Sequence, residues 1–315
     1  MTKARELADL IANVNHGSSL AYKNLLINSS FALNQRGAST VTSGYFLDRW
    51  TITSASATAQ LTSSLPDGFS YGMSIAATSG NPIATQRIEA KNLENISGKI
   101  VTLSFYAKDL GNVGALYASL QTANSADNFD ATTTISEQTL TSDVPTSWTQ
   151  YTCSWTVPAA GLNGLQLNIL CAGSSTFTLG IVAPQLEIGE KATEFEHEPY
   201  DVTYKKCLRY YQRITGTTGV NHYLGTLQAY ASSAVFGLLA PYLAPMRIKP
   251  AVDQNGTFEY SQTGSSDTGS AAIGNLAASD FGWMSGGWGG GTVTAGYASS
   301  SRATENAYLE ADAEL

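Results

Sequence analysis

The sequence predicts an all-β protein: two β-sandwich domains of the jelly-roll kind, with one short helix at the N-terminus and another between the domains. Three observations carry this. Apolar residues alternate with polar ones in short runs, and Gly, Ser, Asn and Pro separate the runs. Of 315 residues 43% are hydrophobic but only 13% are charged, so Ser, Thr, Asn, Gln and Gly must cover the surface of two ordinary cores. No internal repeat or heptad array appears, which excludes a solenoid or a β-helix. The predicted boundaries are 1–22 for an N-terminal attachment or trimerisation helix, 23–199 for a jelly-roll domain, 200–213 for a linker helix and 214–315 for a C-terminal β domain.

Residues 3–14 form the first element. Leu7, Leu10, Ile11 and Val14 make one apolar stripe, Lys3, Arg5, Glu6 and Asp9 lie elsewhere, and Asn15 to Ser19 end the helix. A helix this short is marginal alone. Its stripe either docks on its own sandwich or forms a bundle stub between identical chains.

Asn24 to Phe31 reads as the first strand, with Trp50 anchoring the core beside it and Asp48 with Arg49 forming a local ion pair or a turn. Clearer strands follow at Ile100–Lys108, Ala115–Thr122, Thr149–Val157, Leu165–Cys171 and Phe177–Ala183, each with one apolar face. Cys153 shares a face with Tyr151, Trp155 and Val157, and Cys171 with Leu165, Leu167 and Ile169, so both are expected to be small core residues rather than disulfide partners. Leu186 and Ile188 alternate with Gln185 and Glu187 as a closing strand that Gly189 ends. Tyr204, Cys207, Leu208 and Tyr211 then recur at helical spacing.

Beyond this seam the alternation resumes, with Ala234, Phe236 and Leu238 opposite Val235 and Leu239. It closes with Leu309, Ala311, Ala313 and Leu315 alternating with Tyr308 and acidic residues. One stretch stands apart: Asp280 to Gly291, with Trp283 and Trp288 among repeated glycines, followed by Tyr297. Large rings in a Gly-rich loop suit stacking on pyranose sugars or anchoring an interface; equally, they suit plugging a core or a trimer axis while Gly permits tight turns. Trp283, Trp288 and Tyr297, with Tyr223 and Tyr230 of the same domain, are the candidate ligand-binding residues; no catalytic residue is predicted.

Other chemistry is excluded more than found. The net charge of −8 and the scattered 17 Lys and Arg argue against nucleic acid. No apolar run approaches the roughly 18 residues of a membrane span. The N-terminus lacks the apolar centre of a signal peptide, so folding in a cytoplasm is expected. His16, His197 and His222 lie far apart, outside any metal-ligand or hydrolase spacing, and no phosphate-binding loop follows a strand. Glu187, Glu190, Glu194, Glu196 and Glu198 are expected to form a solvated face rather than the paired carboxyls of a glycosidase.

Four stretches carry a resemblance. Gln185-Leu186-Glu187-Ile188-Gly189 with Ala192 to Glu196 and Cys207-Leu208-Arg209-Tyr210-Tyr211 resembles the joint in many bacteriophage tail-fibre and receptor-binding proteins. There a carbohydrate-binding-module-like β-sandwich is followed by a short helix and a C-terminal β domain. Asn24 to Phe31, Leu47-Asp48-Arg49-Trp50 and Met246-Arg247-Ile248-Lys249-Pro250 agree, so that the set spans about residues 24–250 in order. The resemblance implies a non-enzymatic phage virion tail component, assembled in the host cytoplasm as a homotrimer with Leu7, Leu10, Ile11 and Val14 at the interface. Its partners would be other tail proteins and a host-surface glycan. Two alternatives stay open, a fibre or tail adaptor and a carbohydrate-active enzyme. No cofactor is expected, but sandwiches of this kind often carry a structural Ca²⁺ near the first and last strands. That leaves such a site open, although no loop has EF-hand spacing.

Overall fold

The computed structural model describes residues 23–173, 176–216, 222–231, 234–262, 268–271, 273, 276–279, 281–288, 293–304 and 306–315. The predicted helix at 3–14, with Leu7, Leu10, Ile11 and Val14, lies outside them. The chain divides into two compact units, one running through Tyr204 and including Leu315, the other Lys205–Glu314. Each is built of antiparallel sheets, as the alternation predicts.

In the first unit a six-stranded sheet runs in the order β1 (Gly44–Tyr45), β2 (Thr51–Thr53), β5 (Ile83–Ile88), β10 (Leu165–Cys171), β7 (Leu116–Ser125), β8 (Asn128–Thr141). A five-stranded sheet runs β3 (Ala57–Leu61), β4 (Gly72–Ala77), β11 (Phe177–Ile188), β6 (Ile100–Gly111), β9 (Thr149–Thr156). The chain crosses between the sheets at almost every connection from β2 onward, the jelly-roll habit. On β6, Val101, Leu103, Phe105 and Ala107 are all fully buried, and they share one core with Leu165, Leu167 and Ile169 of β10. Cys153 and Cys171 lie in that core as thiols, and burial pushes each up to about 12.

Asn24 to Phe31 is not a strand. Asn28 and Phe31 take positive φ, at 56° and 57°, which breaks the extended run. Its backbone is satisfied by side chains instead: the amide of Gln86, itself 1% exposed, accepts from Ile27 N at 2.6 Å and donates to Ile27 O at 2.9 Å. Trp50 is fully buried as expected, its ring 5.3 Å from Phe31 and its Nε1 donating to Asn28 O. Asp48 and Arg49 form the expected turn, with Trp50 N bonded to Leu47 O and Arg49 at φ 72°. Asp48 turns to Gln35, whose backbone N and side-chain Nε2 it accepts, while Arg49 reaches Arg87 O.

The last two strands expected of this unit are one. β11 continues through a bulge between Val182 and Gln185, where Ala183 has φ 54° and Pro184 lacks a donor for the ladder.

The linker helix α1 is shorter than predicted, spanning Tyr200–Leu208 rather than 200–213. Asp201 in its first turn and Lys205 and Lys206 in its last suit the helix dipole. Tyr211, placed by spacing on its apolar face, instead opens strand β12, because Tyr210 N closes a turn onto Cys207 O and ends the helix. The division between units falls inside α1, within the 200–213 stretch read as the linker.

The second unit pairs a three-stranded sheet, β12 (Tyr211–Thr215), β21 (Tyr308–Asp312), β15 (Ala251–Asn255), with a seven-stranded one. The latter runs β17 (Thr268–Ala271), β16 (Phe258–Gln262), β20 (Ala298–Ala303), β13 (His222–Ala231), β14 (Ala234–Pro241), β19 (Gly282–Trp288), β18 (Leu276–Ala278). Leu309 and Ala311 of β21 pack in one core with Leu227, Val235, Leu239, Phe258, Tyr260 and Trp283. The pairing of β14 with β19 shifts register twice, between Val235 and Gly237 and between Leu238 and Ala240; Phe236 and Leu238 face outward while Val235 and Leu239 are buried, as the alternation predicts.

Candidate functional site

Strand β10 positions the candidate site. Its residues Leu165, Leu167, Ile169 and Cys171 point into the core, so Gln166, Asn168 and Leu170 must point out of the sandwich. The register then assembles three rows across the sheet. The first is Arg87, Gln166, Gln121 and Thr134; the second is Thr51, Thr85, Asn168, Ser119 and Glu137. The third is Ile83, Leu170 and Tyr117.

The first two rows are joined by hydrogen bonds. Arg87 Nε donates to Gln166 Oε1 at 2.9 Å, and Gln166 Nε2 donates to Gln121 Oε1 at 3.0 Å. Thr132 Oγ1 donates to the same Gln121 oxygen, and Gln121 Nε2 donates to Thr134 Oγ1. Thr85 Oγ1 donates to Asn168 Oδ1 at 2.8 Å, and Asn168 Nδ2 donates to Ser119 Oγ at 3.2 Å. Asn168, Thr85 and Ser119 are buried, while Arg87, Gln166 and Gln121 are half-buried, so the face has a polar floor and reachable amides beside it. The Arg87 guanidinium also lies 5.2 Å over the Phe129 ring. Its Nη1 and the Tyr45 hydroxyl both donate to Leu315 O.

Chemically the face offers amides and hydroxyls in two rows next to an apolar strip of Ile83, Leu170 and Tyr117. Glu137 is the one carboxylate among the described residues of the three rows, so they present no pair of carboxyls for acid–base work.

The residues singled out in the sequence are placed differently. Trp283 corrects the reading of a ring-bearing loop: it lies in strand β19, is fully buried, stacks edge-on against Tyr242 at 4.8 Å, and donates Nε1 to Glu310 O. The apolar neighbours absent from its local sequence come from distant strands. Trp288 also belongs to β19, opposite Val235, and its side chain lies outside the described residues. Tyr223, Tyr230 and Tyr297 are exposed. Tyr297 O accepts from Ala229 N beside Tyr230, whereas Tyr223 sits seven residues along β13, roughly 20 Å away at strand rise. These aromatic residues therefore do not form one site. The rows on the six-stranded sheet were missed because Gln166, Asn168 and Gln121 are ordinary polar members of an alternation. Only the pairing of β10 with β5 and β7 brings them together.

The acidic cluster is not wholly a solvated face either. Glu187 is 4% exposed and accepts from Thr193 N, Thr193 Oγ1 and Gln185 Nε2. Beside it, at the corner where a Ca²⁺ would be sought, Lys23 Nζ donates to Thr193 Oγ1 and Glu194 O, and Glu196 Oε2 accepts from Asn24 N. The Lys23 ammonium thus takes up Thr193 Oγ1 and Glu194 O, and no three His, Cys, Asp or Glu residues converge among the described residues.

No family model and no curated protein matches the chain. Solved structures that resemble it do so in part. One is the enzymatically active domain of tailspike protein 4 from bacteriophage CBA120, at 15% identity and a TM-score of 0.38 over 53% of this chain and 22% of that one. Another is a putative sugar-binding protein from Bacteroides thetaiotaomicron, at 16% and 0.38 over 53% of this chain and all of that one. A third is the module TmCBM61 in complex with β-1,4-galactotriose, at 12% and 0.34 over 53% and 99%. The chain thus spans under a quarter of the tailspike domain's length, and the functional reading below rests on this chain's own residues.

Proposed function

We propose that the protein is a non-catalytic phage tail component that binds a host-surface glycan through the outer face of the six-stranded sheet of its first unit. The observation that carries this is the juxtaposition of two hydrogen-bonded rows of amides and hydroxyls with the Ile83, Leu170 and Tyr117 strip. A sugar has the same two faces, hydroxyls at its edge and C–H groups on its flat side. Burial of the floor residues holds the donors and acceptors in place before the ligand arrives, which lowers the ordering cost of binding. The tail role, the homotrimer and the contacts with other tail proteins follow from the resemblance of the seam and from the apolar stripe at Leu7, Leu10, Ile11 and Val14.

The test is binding of purified host polysaccharide by the full chain and by a Gln121→Ala/Gln166→Ala variant. Both amides are half-buried and bond only to side chains, so the fold should survive. Loss of two polar contacts at about 1 kcal/mol each corresponds to weakening on the order of 10- to 30-fold. Unchanged affinity in a folded variant would reject this face as the site. Release of reducing sugar by the wild-type chain would reject the non-catalytic reading.

A further inference from the structure

The seven-stranded sheet of the second unit holds a separate concavity. Where Gln228 of β13 pairs with Phe236 of β14 on one side and Ala298 of β20 on the other, a cleft of about 440 Å³ opens. Thr226, Leu227, Gly237 and Gly296 complete its lining among the described residues, none of which is charged. That volume falls within the roughly 300–1,000 Å³ of small-molecule sites.

Three features make the cleft a built one. Phe236 is 40% exposed, held by an edge contact with the Tyr230 ring at 5.5 Å and 71°. Gly237, at φ 148°, lines the recess, and a side chain there would be strained, its Cβ 3.3 Å from Thr226 O and 3.4 Å from Leu227 Cδ2. The wall is fixed by backbone: Gly296 N donates to Ala229 O at 2.7 Å, and Ala229 N donates to Tyr297 O at 2.9 Å. An exposed ring, an exposed amide and an exposed hydroxyl thus converge in an uncharged, glycine-lined recess.

We propose that this cleft is a second glycan subsite, taking a neutral pyranose with its apolar face on Phe236 and its hydroxyls on the Gln228 amide and Thr226 hydroxyl. It shares only the ligand class with the site on the first unit. A chain carrying both would engage one polysaccharide at two points, and two weak sites on one chain raise avidity without new contacts.

Saturation-transfer NMR on the full-length chain tests it, with the methyl pyranosides of glucose, galactose, mannose and N-acetylglucosamine as probes. At least one should show transfer concentrated on the protons of one ring face. The signal should persist in Gln121→Ala/Gln166→Ala, which removes the first site's contribution. In that background Phe236→Ala and Ala298→Trp, which fills the recess from an exposed position, should each abolish or strongly reduce it; Phe236→Tyr, which keeps the ring, should retain it and so exclude misfolding as the cause. Transfer that survives both Phe236→Ala and Ala298→Trp in that background, or no transfer from any of the four probes, overturns the proposal. Transfer lost only in the Gln121/Gln166 variant overturns it while leaving the first site standing.

Discussion

Both units contain bulged strands and both bury large rings, Trp50, Phe105 and Phe177 in the first and Trp283, Tyr260 and Phe258 in the second. They differ in what faces outward: in the first the outward positions of β10 and its neighbours are mostly polar. Of the thirteen large apolar or aromatic side chains exposed among the described residues, nine belong to the second unit, although it is the shorter. Outward-facing Phe236, Leu238 and Met284 lie on adjacent β14 and β19. The first unit exposes four, Tyr71, Leu110, Leu162 and Tyr200, and its Ile83, Leu170 and Tyr117 strip is only half-buried beside the hydrogen-bonding rows.

The sharpest way to break this contrast lies within three residues of the second unit. Trp283 is fully buried and Phe281, two positions earlier, is 78% exposed. Trp283→Ala should cost about 3–5 kcal/mol, because it opens a cavity and strands Glu310 O without its indole donor. Phe281→Ala should stay within about 0.5 kcal/mol. Denaturant unfolding of both variants decides the matter, and comparable costs would mean that β19 does not plug the core as described.

A second effect, somewhat smaller, concerns what the units share. In each, a glutamine amide pairs with both the N–H and the C=O of one remote residue. Gln86 holds Ile27 in the first, and in the second Gln262 holds Thr294 at 2.9 and 2.8 Å and Gln254 holds Ile273 at 2.8 and 2.7 Å. The side chain acts as one rung of a β-ladder for a segment that cannot extend. Gln86, itself 1% exposed, is the partner of both Ile27 backbone groups, and Gln86→Ala should destabilise the first unit by about 2–3 kcal/mol. Gln262→Ala removes the acceptor of Thr294 N, while Thr294 O keeps Tyr297 N, and should cost about 1 kcal/mol. Proteolysis within residues 24–31 should accelerate only in Gln86→Ala. If Gln86→Ala melts like wild type, the clamp is incidental.

These glutamines also show where sequence reading ends. The strands at Ile100–Lys108 and Leu165–Cys171 were legible because period-two apolar residues have one physical explanation, a half-buried sheet. β8, fourteen residues long, was not, because an edge strand rich in Thr needs little apolar alternation when only β7 pairs with it. Asn24 to Phe31 has strand-like composition, and only the positive φ of Asn28 and Phe31 and the Gln86 clamp remove it from the sheet. The candidate site was illegible for a related reason. Gln121, Gln166 and Asn168 gain meaning from register across strands more than 40 residues apart, and local pattern carries no register between distant strands. Trp283 was the converse case, a residue conspicuous among glycines whose packing partners are all remote.

The smallest effect separates the units by their carboxylates. Asp48 of the first unit is 1% exposed, and desolvation pushes its carboxyl above the ordinary 3.8 despite the two hydrogen bonds from Gln35 and the charges of Arg36 and Arg49. The folded chain therefore holds this proton at a pH where the unfolded chain has already released it. The stability this contributes is complete below 3.8 and is lost as pH rises through the raised folded-state value. Glu259 of the second unit is the opposite case, a partly exposed carboxylate paired across β16 and β20 with Arg302, whose Nε donates to it at 2.6 Å. A pair this accessible contributes about 0.2–1 kcal/mol and is screened by salt. Unfolding free energy measured against pH for wild type and Asp48→Asn should give a difference that falls with rising pH on the acid side of neutrality and changes little in high salt. Glu259→Gln should give a small loss at neutral pH that high salt erases. A wild-type advantage over Asp48→Asn that grows with pH would mean that the Gln35 bonds and the nearby guanidinium charges outweigh burial, and the two carboxylates would then differ in degree rather than in kind.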